Sequence, residues 1–202
     1  MQTPPAITTR AERGFTLFEL MITVALAAVL AAIAIPNMGD FIRNNRLSSG
    51  ANDLLRSLQI ARSEAVKRQA VVAACASASP MANTASCSGE SFSGWIVFQD
   101  TNNNWARDAG EEIIDRKTVA DGVSVVNDNE GIVSYAPSGF ANSTPGQTPT
   151  SRIVICDARG NTQVGANSAA RALLIEATGR ARVVRDHDQI ASALTDVGAS
   201  CP

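Results

Sequence analysis

The sequence predicts an α+β protein in which a long N-terminal helix packs on an antiparallel β-sheet globular domain. Three observations carry that reading: an apolar run near the N-terminus, a stretch with apolar residues at helical spacing directly after it, and beyond Ala70 a series of short β-type runs separated by Gly, Asn, Asp and Pro. At 202 residues the chain has room for one such domain beside one apolar segment, and not for a second.

The first element runs from Phe15 to Ile35, 21 residues that are apolar except for Thr16, Glu19 and Thr23. At 1.5 Å per residue it makes a helix of about 31 Å, the thickness of a hydrocarbon core, so residues 15–36 are expected to span a membrane. Arg10, Arg13 and the α-amino group outweigh Glu12 ahead of it, which places residues 1–14 in the cytoplasm and the rest outside. A secretory signal peptide fits poorly, because the run is too long and no small-residue cleavage site follows. Glu19 is the only charge between Phe15 and Asp40. A carboxylate there costs about 3 kcal/mol unless something pairs with it, so a partner is expected.

Residues 37–72 form the second half of the helix. Leu47, Ala51, Leu54, Leu58, Ala61 and Ala65 recur at spacings of 4, 3, 4, 3 and 4, an apolar stripe that should face the domain. Arg43, Arg46, Arg56, Arg62, Lys67 and Arg68 fall mostly off the stripe and read as a solvated basic flank. In residues 73–202 the expected strands are Phe92 to Gln99, Ile113 to Lys117, Val123 to Val126, Ile132 to Tyr135, Ile153 to Cys156, Leu173 to Ala177 and Ala181 to Val184. Ala141 to Thr150, with Pro145, Gly146 and Pro149, reads as a surface loop.

Net charge is −2, but it is segregated: residues 40 to 70 hold six Lys/Arg against three Asp/Glu, residues 90 to 130 three against nine. The four cysteines, Cys75, Cys87, Cys156 and Cys201, all follow the apolar run at spacings that match no zinc or redox motif. An even number suggests disulfides and an oxidising compartment. Of three connectivities the preferred one joins Cys75 to Cys87 locally and Cys156 to Cys201, which fastens the C-terminus; free buried thiols are the alternative.

The segment Arg13-Gly14-Phe15-Thr16-Leu17-Phe18-Glu19-Leu20 resembles the prepilin signature. That resemblance implies a dedicated prepilin peptidase that cuts after Gly14 and N-methylates Phe15. It also implies that Glu19 recognises the terminal amine of the preceding subunit in a filament, and a buried ammonium from a neighbour would neutralise that carboxylate. Helices of this kind commonly bend or partly melt near positions such as Pro36 and Gly39. The later order of features is similar to the GspH/FimT family of minor pilins and pseudopilins: the Trp95-Ile96-Val97-Phe98 strand, an Asp/Asn-rich loop with Gly110-Glu111-Glu112, and the Ser134 to Phe140 stretch. The resemblance implies a single-pass bacterial inner-membrane protein with a periplasmic C-terminus, later part of a pilus on the cell surface, with other pilin subunits as partners.

Two constellations invite chemistry. Asp100, Asn102, Asn104, Asp108 and Glu111 occupy positions 1, 3, 5, 9 and 12 of a loop, the oxygen spacing of a calcium-binding EF-hand. Against calcium, Trp105 stands where the sharp turn wants Gly, and the same residues dominate plain hairpin turns. The second is Gly179-Arg180-Ala181-Arg182, followed by Arg185 and His187, in a region from Arg152 to Arg185 where six Arg face only Asp157 and Glu176. In a strand Arg180 and Arg182 share a face and could engage successive phosphates of double-stranded DNA, with Gly179 permitting close approach and Arg185 and Arg171 adding charge. The motif resembles the GRxR of FimT proteins, minor pilins that bind DNA in natural transformation. The alternative is an edge strand carrying Arg for solubility.

A single His187 excludes a two-His zinc motif, neither Lys67 nor Lys117 follows a Gly-rich phosphate loop, and there is no Gly-x-Ser-x-Gly elbow. The expectation is a non-enzyme without cofactor. The resemblance implies a minor type IV pilin that binds extracellular DNA or, alternatively, a FimU-like structural minor pilin or a GspH-like pseudopilin of type II secretion.

Overall fold

The computed structural model describes residues 14–88, 93–128, 131–143 and 150–201, and only the backbone of residues 33–37. The expected leader up to Arg13, Phe92 of the first expected strand and residues 144–149 of the expected loop lie outside these. The chain divides after Ile42 into two units. Helix α1, Leu17–Arg68, belongs to both and runs through Pro36 and Gly39 without a break, so the expected melting there is not found. Proline removes one N–H donor and a helical Gly costs about 1 kcal/mol, and uninterrupted turns on either side carry the helix across. Among the described residues no helix is long and apolar enough to cross a membrane. The 21-residue run counted in the sequence includes residues 33–35, whose side chains are not described.

In the unit from Arg43 onward, all six residues of the helical stripe are buried. They meet two antiparallel sheets, which together form the expected antiparallel sheet system. The first sheet runs in the order β3-β2-β1-β5-β6, with β1 Val72–Ser77, β2 Gly94–Gln99, β3 Ile113–Thr118, β5 Ile132–Tyr135 and β6 Ala141–Asn142. The second runs β10-β9-β7-β4, with β4 Ser124–Asn127, β7 Ser151–Cys156, β9 Asn167–Ile175 and β10 Ala181–Asp186, and a short β8, Gln163–Val164, pairing with β9. Helix α2, His187–Val197, closes the chain.

Alternation along each strand sets the layers. Val72, Ala74, Trp95, Val97, Val133 and Tyr135 of the first sheet and Ile153, Ile155, Leu173 and Ile175 of the second join the α1 stripe in one core. The opposite face of the first sheet, with Ala73, Cys75, Ile96 and Phe98, is covered by the segment holding Ala85 and Cys87. The opposite face of the second, with Val154, Cys156, Ala170, Ala172 and Val184, is covered by Ile190 and Ala193 of α2. Disulfides Cys75–Cys87 and Cys156–Cys201 fasten the two covers.

Tyr135 is fully buried under α1, and its hydroxyl has no hydrogen-bond partner among the described residues. Burial pushes its pKa up to about 12, with the charge of Arg62 a smaller opposing influence. Below about pH 10 the folded and unfolded chains both keep the phenolic proton, so this group contributes no pH dependence. Above it the unfolded chain ionises first, so stability should fall between pH 10 and about 12. Tyr135→Phe should be at least as stable as the parent at neutral pH, because it removes an unpaired buried hydroxyl, and should lose that alkaline slope. Thermal melts over the pH range measure both effects.

Candidate functional site

Two regions hold the residues singled out in the sequence. At the N-terminus, Thr16 precedes α1 and Glu19 is the helix's third residue. The Glu19 N–H donates to Thr16 Oγ1 at 3.2 Å, and Glu19 Oε2 accepts from the Thr16 N–H and hydroxyl, each at 3.0 Å. This is a reciprocal capping box, which satisfies two donors that a helix start leaves orphaned. Within its own chain Glu19 thus accepts from two neutral donors of Thr16. The Thr-x-x-Glu spacing was the sequence signal for Thr16, which the search for a charge partner alone passes over. Phe15 is almost fully exposed, and Gly14 precedes it outside the helix.

The second region is the hairpin joining β9 to β10. The Gly179 N–H donates to the Glu176 carbonyl at 2.8 Å and the Glu176 N–H to the Arg180 carbonyl at 3.0 Å. The result is a three-residue loop whose last position, Gly179, is left-handed at φ 78°. Arg180 therefore leaves the turn and Arg182 lies in the strand, where it pairs with Leu174. Arg180, opposite Glu176 where the loop closes, and Arg182, two residues on, are both exposed. Arg185, also exposed, stands at the register shift between Val184 and Asp186. Among the described residues Arg180 and Arg185 make no ion pair or side-chain hydrogen bond. Arg182 lies 3.8 Å by Nε from Glu176 Oε1 and donates through Nη1 to Gln189 Oε1 at 3.4 Å.

Two members of the expected DNA set are corrected. Arg171 is only 3 % exposed and donates to the carbonyls of Ser168, Ala169 and Ala170 at 2.8–3.2 Å and to Ser48 Oγ at 3.5 Å. Burial first, then the like charges of Arg185 and Arg159, holds its guanidinium below the ordinary value. It is a buried cation on carbonyls, out of reach of a phosphate. The close approach at Gly179 is likewise internal: a Cβ there would lie 2.2 Å from the Gly139 carbonyl oxygen. The two turns touch, and Arg62 of α1 ties them, donating through Nε to the Gly139 carbonyl at 2.8 Å and through Nη2 to that of Thr178 at 3.0 Å.

Arg62 is one of several basic residues that the spacing assigned to a solvated flank. Arg46 reaches the Asp121 carbonyl at 3.2 Å, and Arg68 bonds Glu64, Gln99 and Glu112. The guanidinium of Arg68 holds both carboxyls below their ordinary value. A long basic side chain off the apolar stripe can reach a neighbouring element or water, and helical spacing does not distinguish the two.

The acidic loop closes on itself. Asp100, 2 % exposed, accepts from the Asn104 and Trp105 amides, and Glu111, 6 % exposed, accepts from the Thr101 amide and hydroxyl and from the Asp108 amide. The side-chain NH2 groups of Asn102 and Asn104 both point at Asp108 Oδ2, at 2.8 and 2.9 Å, presenting donors where a cation needs acceptors. Among the described residues no three His, Cys, Asp or Glu side chains converge as a metal site. Trp105 takes the positive φ of 59° that the sixth position of such a loop reserves for Gly. The alternative reading, a plain turn built on Asn and Asp side-chain bonding, describes this geometry.

Comparison with known proteins places these features. A fimbrial protein of Pseudomonas aeruginosa is 42% identical over 45 residues, 22% of this chain and 29% of its own. Type IV major fimbrial protein FimA of Dichelobacter nodosus is 49% identical over 41 residues, 20% of this chain and 26% of its own. The chain thus spans only a quarter to a third of the length of these curated relatives. Among solved structures, the type IV minor pilin FimU of Pseudomonas aeruginosa aligns with a TM-score of 0.49 at 18% identity, over 71% of this chain and 92% of that one. The minor pseudopilin EpsH of the Vibrio cholerae type 2 secretion system aligns with a TM-score of 0.45 at 10% identity, over 69% and 97%. The prokaryotic N-terminal methylation motif matches residues 9–35, and the family model of the type II transport protein GspH matches residues 50–192. Because that second match takes in well over half of the sequence, the chain belongs to the GspH family.

Proposed function

We propose that this chain is a minor type IV pilin that enters a pilus through its N-terminal helix and contacts extracellular double-stranded DNA through the β9–β10 edge, for uptake in transformation. On this reading the prepilin peptidase cuts after Gly14 and methylates Phe15, the helix holds the subunit in the inner membrane before assembly, and Glu19 turns from its own cap to the terminal amine of a neighbouring subunit. The observation that carries the DNA contact is the row of exposed guanidinium groups along edge strand β10, of which Arg180 and Arg185 have no partner among the described residues. Unpaired, exposed arginines can neutralise phosphates and release counterions without first breaking internal bonds. Gly179 and Arg171 take no part.

Titration of the full chain in detergent with a labelled duplex tests this. Arg180→Ala with Arg182→Ala should weaken binding at least roughly tenfold and lower the salt slope by about 2, whatever the base sequence. Melting should be unchanged, since both side chains are exposed. Equal affinity of variant and parent would sink the reading.

One observation favours the second reading, a structural minor pilin or pseudopilin without DNA. Glu176 and Gln189 already attend Arg182, and Asp186 and Asp188 flank the strand end. In that case the parent chain gives a flat titration.

A further inference from the structure

The touching turns bring a second feature to the arginine edge. Phe140 follows Gly139 on the turn between β5 and β6, and it is 55% exposed, unlike Phe98, which is buried in the same sheet. Its place against the β9–β10 hairpin is set on both sides. The Gly139 carbonyl lies against Gly179 and takes the Arg62 hydrogen bond, and the Ala141 N–H donates to the Ala177 carbonyl at 3.1 Å. Val66 of α1, itself 44% exposed, borders the same turn, its Cγ2 within 3.0 Å of where a Gly139 Cβ would lie. The sum is an exposed aromatic ring whose sequence neighbour abuts the loop that presents Arg180, with the charge of Arg62 at the seam. The internal tie explains Gly139, Gly179 and Arg62. It leaves Phe140 unexplained, because nothing in the core requires a large apolar side chain there.

We infer that Phe140 is a stacking platform and that this site prefers single-stranded DNA, whose backbone runs past Arg180 and Arg182 while an unpaired base lies on the ring. The inference rests on the DNA reading above and changes its ligand. Phosphate contacts alone do not tell duplex from single strand, but an aromatic face does: in a duplex the base faces are already stacked on one another, whereas in a single strand they are free. Charge beside an exposed ring is the combination that binds single strands with little regard to sequence.

The experiment uses the full chain in detergent, a labelled oligothymidylate, and a duplex of equal length, followed by anisotropy. The parent should bind the single strand more tightly, and Phe140→Ala should weaken single-strand binding by roughly tenfold, a middling value for loss of one base–aromatic stack, while leaving the duplex unaffected. Phe140→Trp should restore the affinity, and its fluorescence should be quenched by oligothymidylate and not by duplex, a readout that survives any loss of stability in the alanine variant. Arg180→Ala with Arg182→Ala should weaken binding to both DNAs. If Phe140→Ala binds oligothymidylate like the parent, or if the tryptophan is not quenched, the stacking role is overturned while the arginine contact stands. If Phe140→Ala lowers incorporation into pili with DNA binding intact, the ring is a contact between subunits and the inference is likewise overturned. A parent chain that binds neither DNA removes both readings together.

Discussion

Gly179→Ala should destabilise the globular unit by about 2 to 5 kcal/mol, the sum of about 1 to 2 for placing an L residue in left-handed backbone and about 1 to 3 for overpacking. The added Cβ would lie 2.2 Å from the Gly139 carbonyl oxygen, 3.3 Å from the Ala141 nitrogen and 3.3 Å from Arg62 Nε, and backbone on both sides cannot step aside cheaply. Gly165→Ala supplies the comparison. Its φ of 66° is also left-handed, yet nothing lies within 4 Å of the new Cβ, so only the backbone penalty applies. Denaturant unfolding of the two variants separates conformation from contact. If both lose the same stability, the turn-to-turn contact is not what makes Gly179 necessary.

Removing the Cys156–Cys201 disulfide, by Cys156→Ser with Cys201→Ser, should cost about 4 kcal/mol in the chain-entropy model. The linked residues are 45 apart, against 12 for Cys75–Cys87, whose removal should cost about 3 kcal/mol. The larger loop also ends on the element it secures. Ile190 and Ala193 of α2 are buried on the outer face of the second sheet, and Cys201 packs beside them. Without the bond, α2 keeps that modest apolar contact, its caps, namely Asp186 accepting from the Gln189 N–H and the left-handed Gly198, and two part-exposed polar ties, Arg152 to Asp196 at 2.9 Å and Arg182 to Gln189 at 3.4 Å. Reduction breaks both bonds, so the unfolding curve of the reduced parent should shift further than that of the double variant, and a parent curve that does not move on reduction would overturn the assignment.

The residues show where sequence reading carried and where it stopped. The α1 stripe and the strands around Trp95 to Phe98 and Ile153 to Cys156 were legible because period and composition agree with the buried faces they form. Strand β1, Val-Ala-Ala-Cys-Ala-Ser, was not. All six residues are buried at the centre of the first sheet, yet small residues carry little intrinsic strand preference, so the neighbours decide. Helix α2 was not read either, although Ile190, Ala193, Leu194 and Val197 stand at helical spacing and an Asp before it and a Gly after it marked its ends; at eleven residues its pattern is brief. For the candidate site, the hairpin arginines were visible as a motif, but the burial of Arg171 and the contact between Gly179 and Gly139 depend on residues distant in sequence. No local spacing encodes a meeting of two turns. Arg62 was invisible as a tie for the same reason, since its acceptors lie 77 and 116 residues away.

The order in which the chain visits its two sheets has a consequence for how the unit comes apart. Strands β1 to β3 belong to the first sheet, β4 to the second, β5 and β6 to the first again, and β7 to β10 to the second. A cut anywhere between β4 and β6 therefore leaves both sheets missing a member, and neither half of the chain owns a complete hydrophobic layer. The globular unit should accordingly lose structure in a single all-or-none transition, with no half-folded species to accumulate.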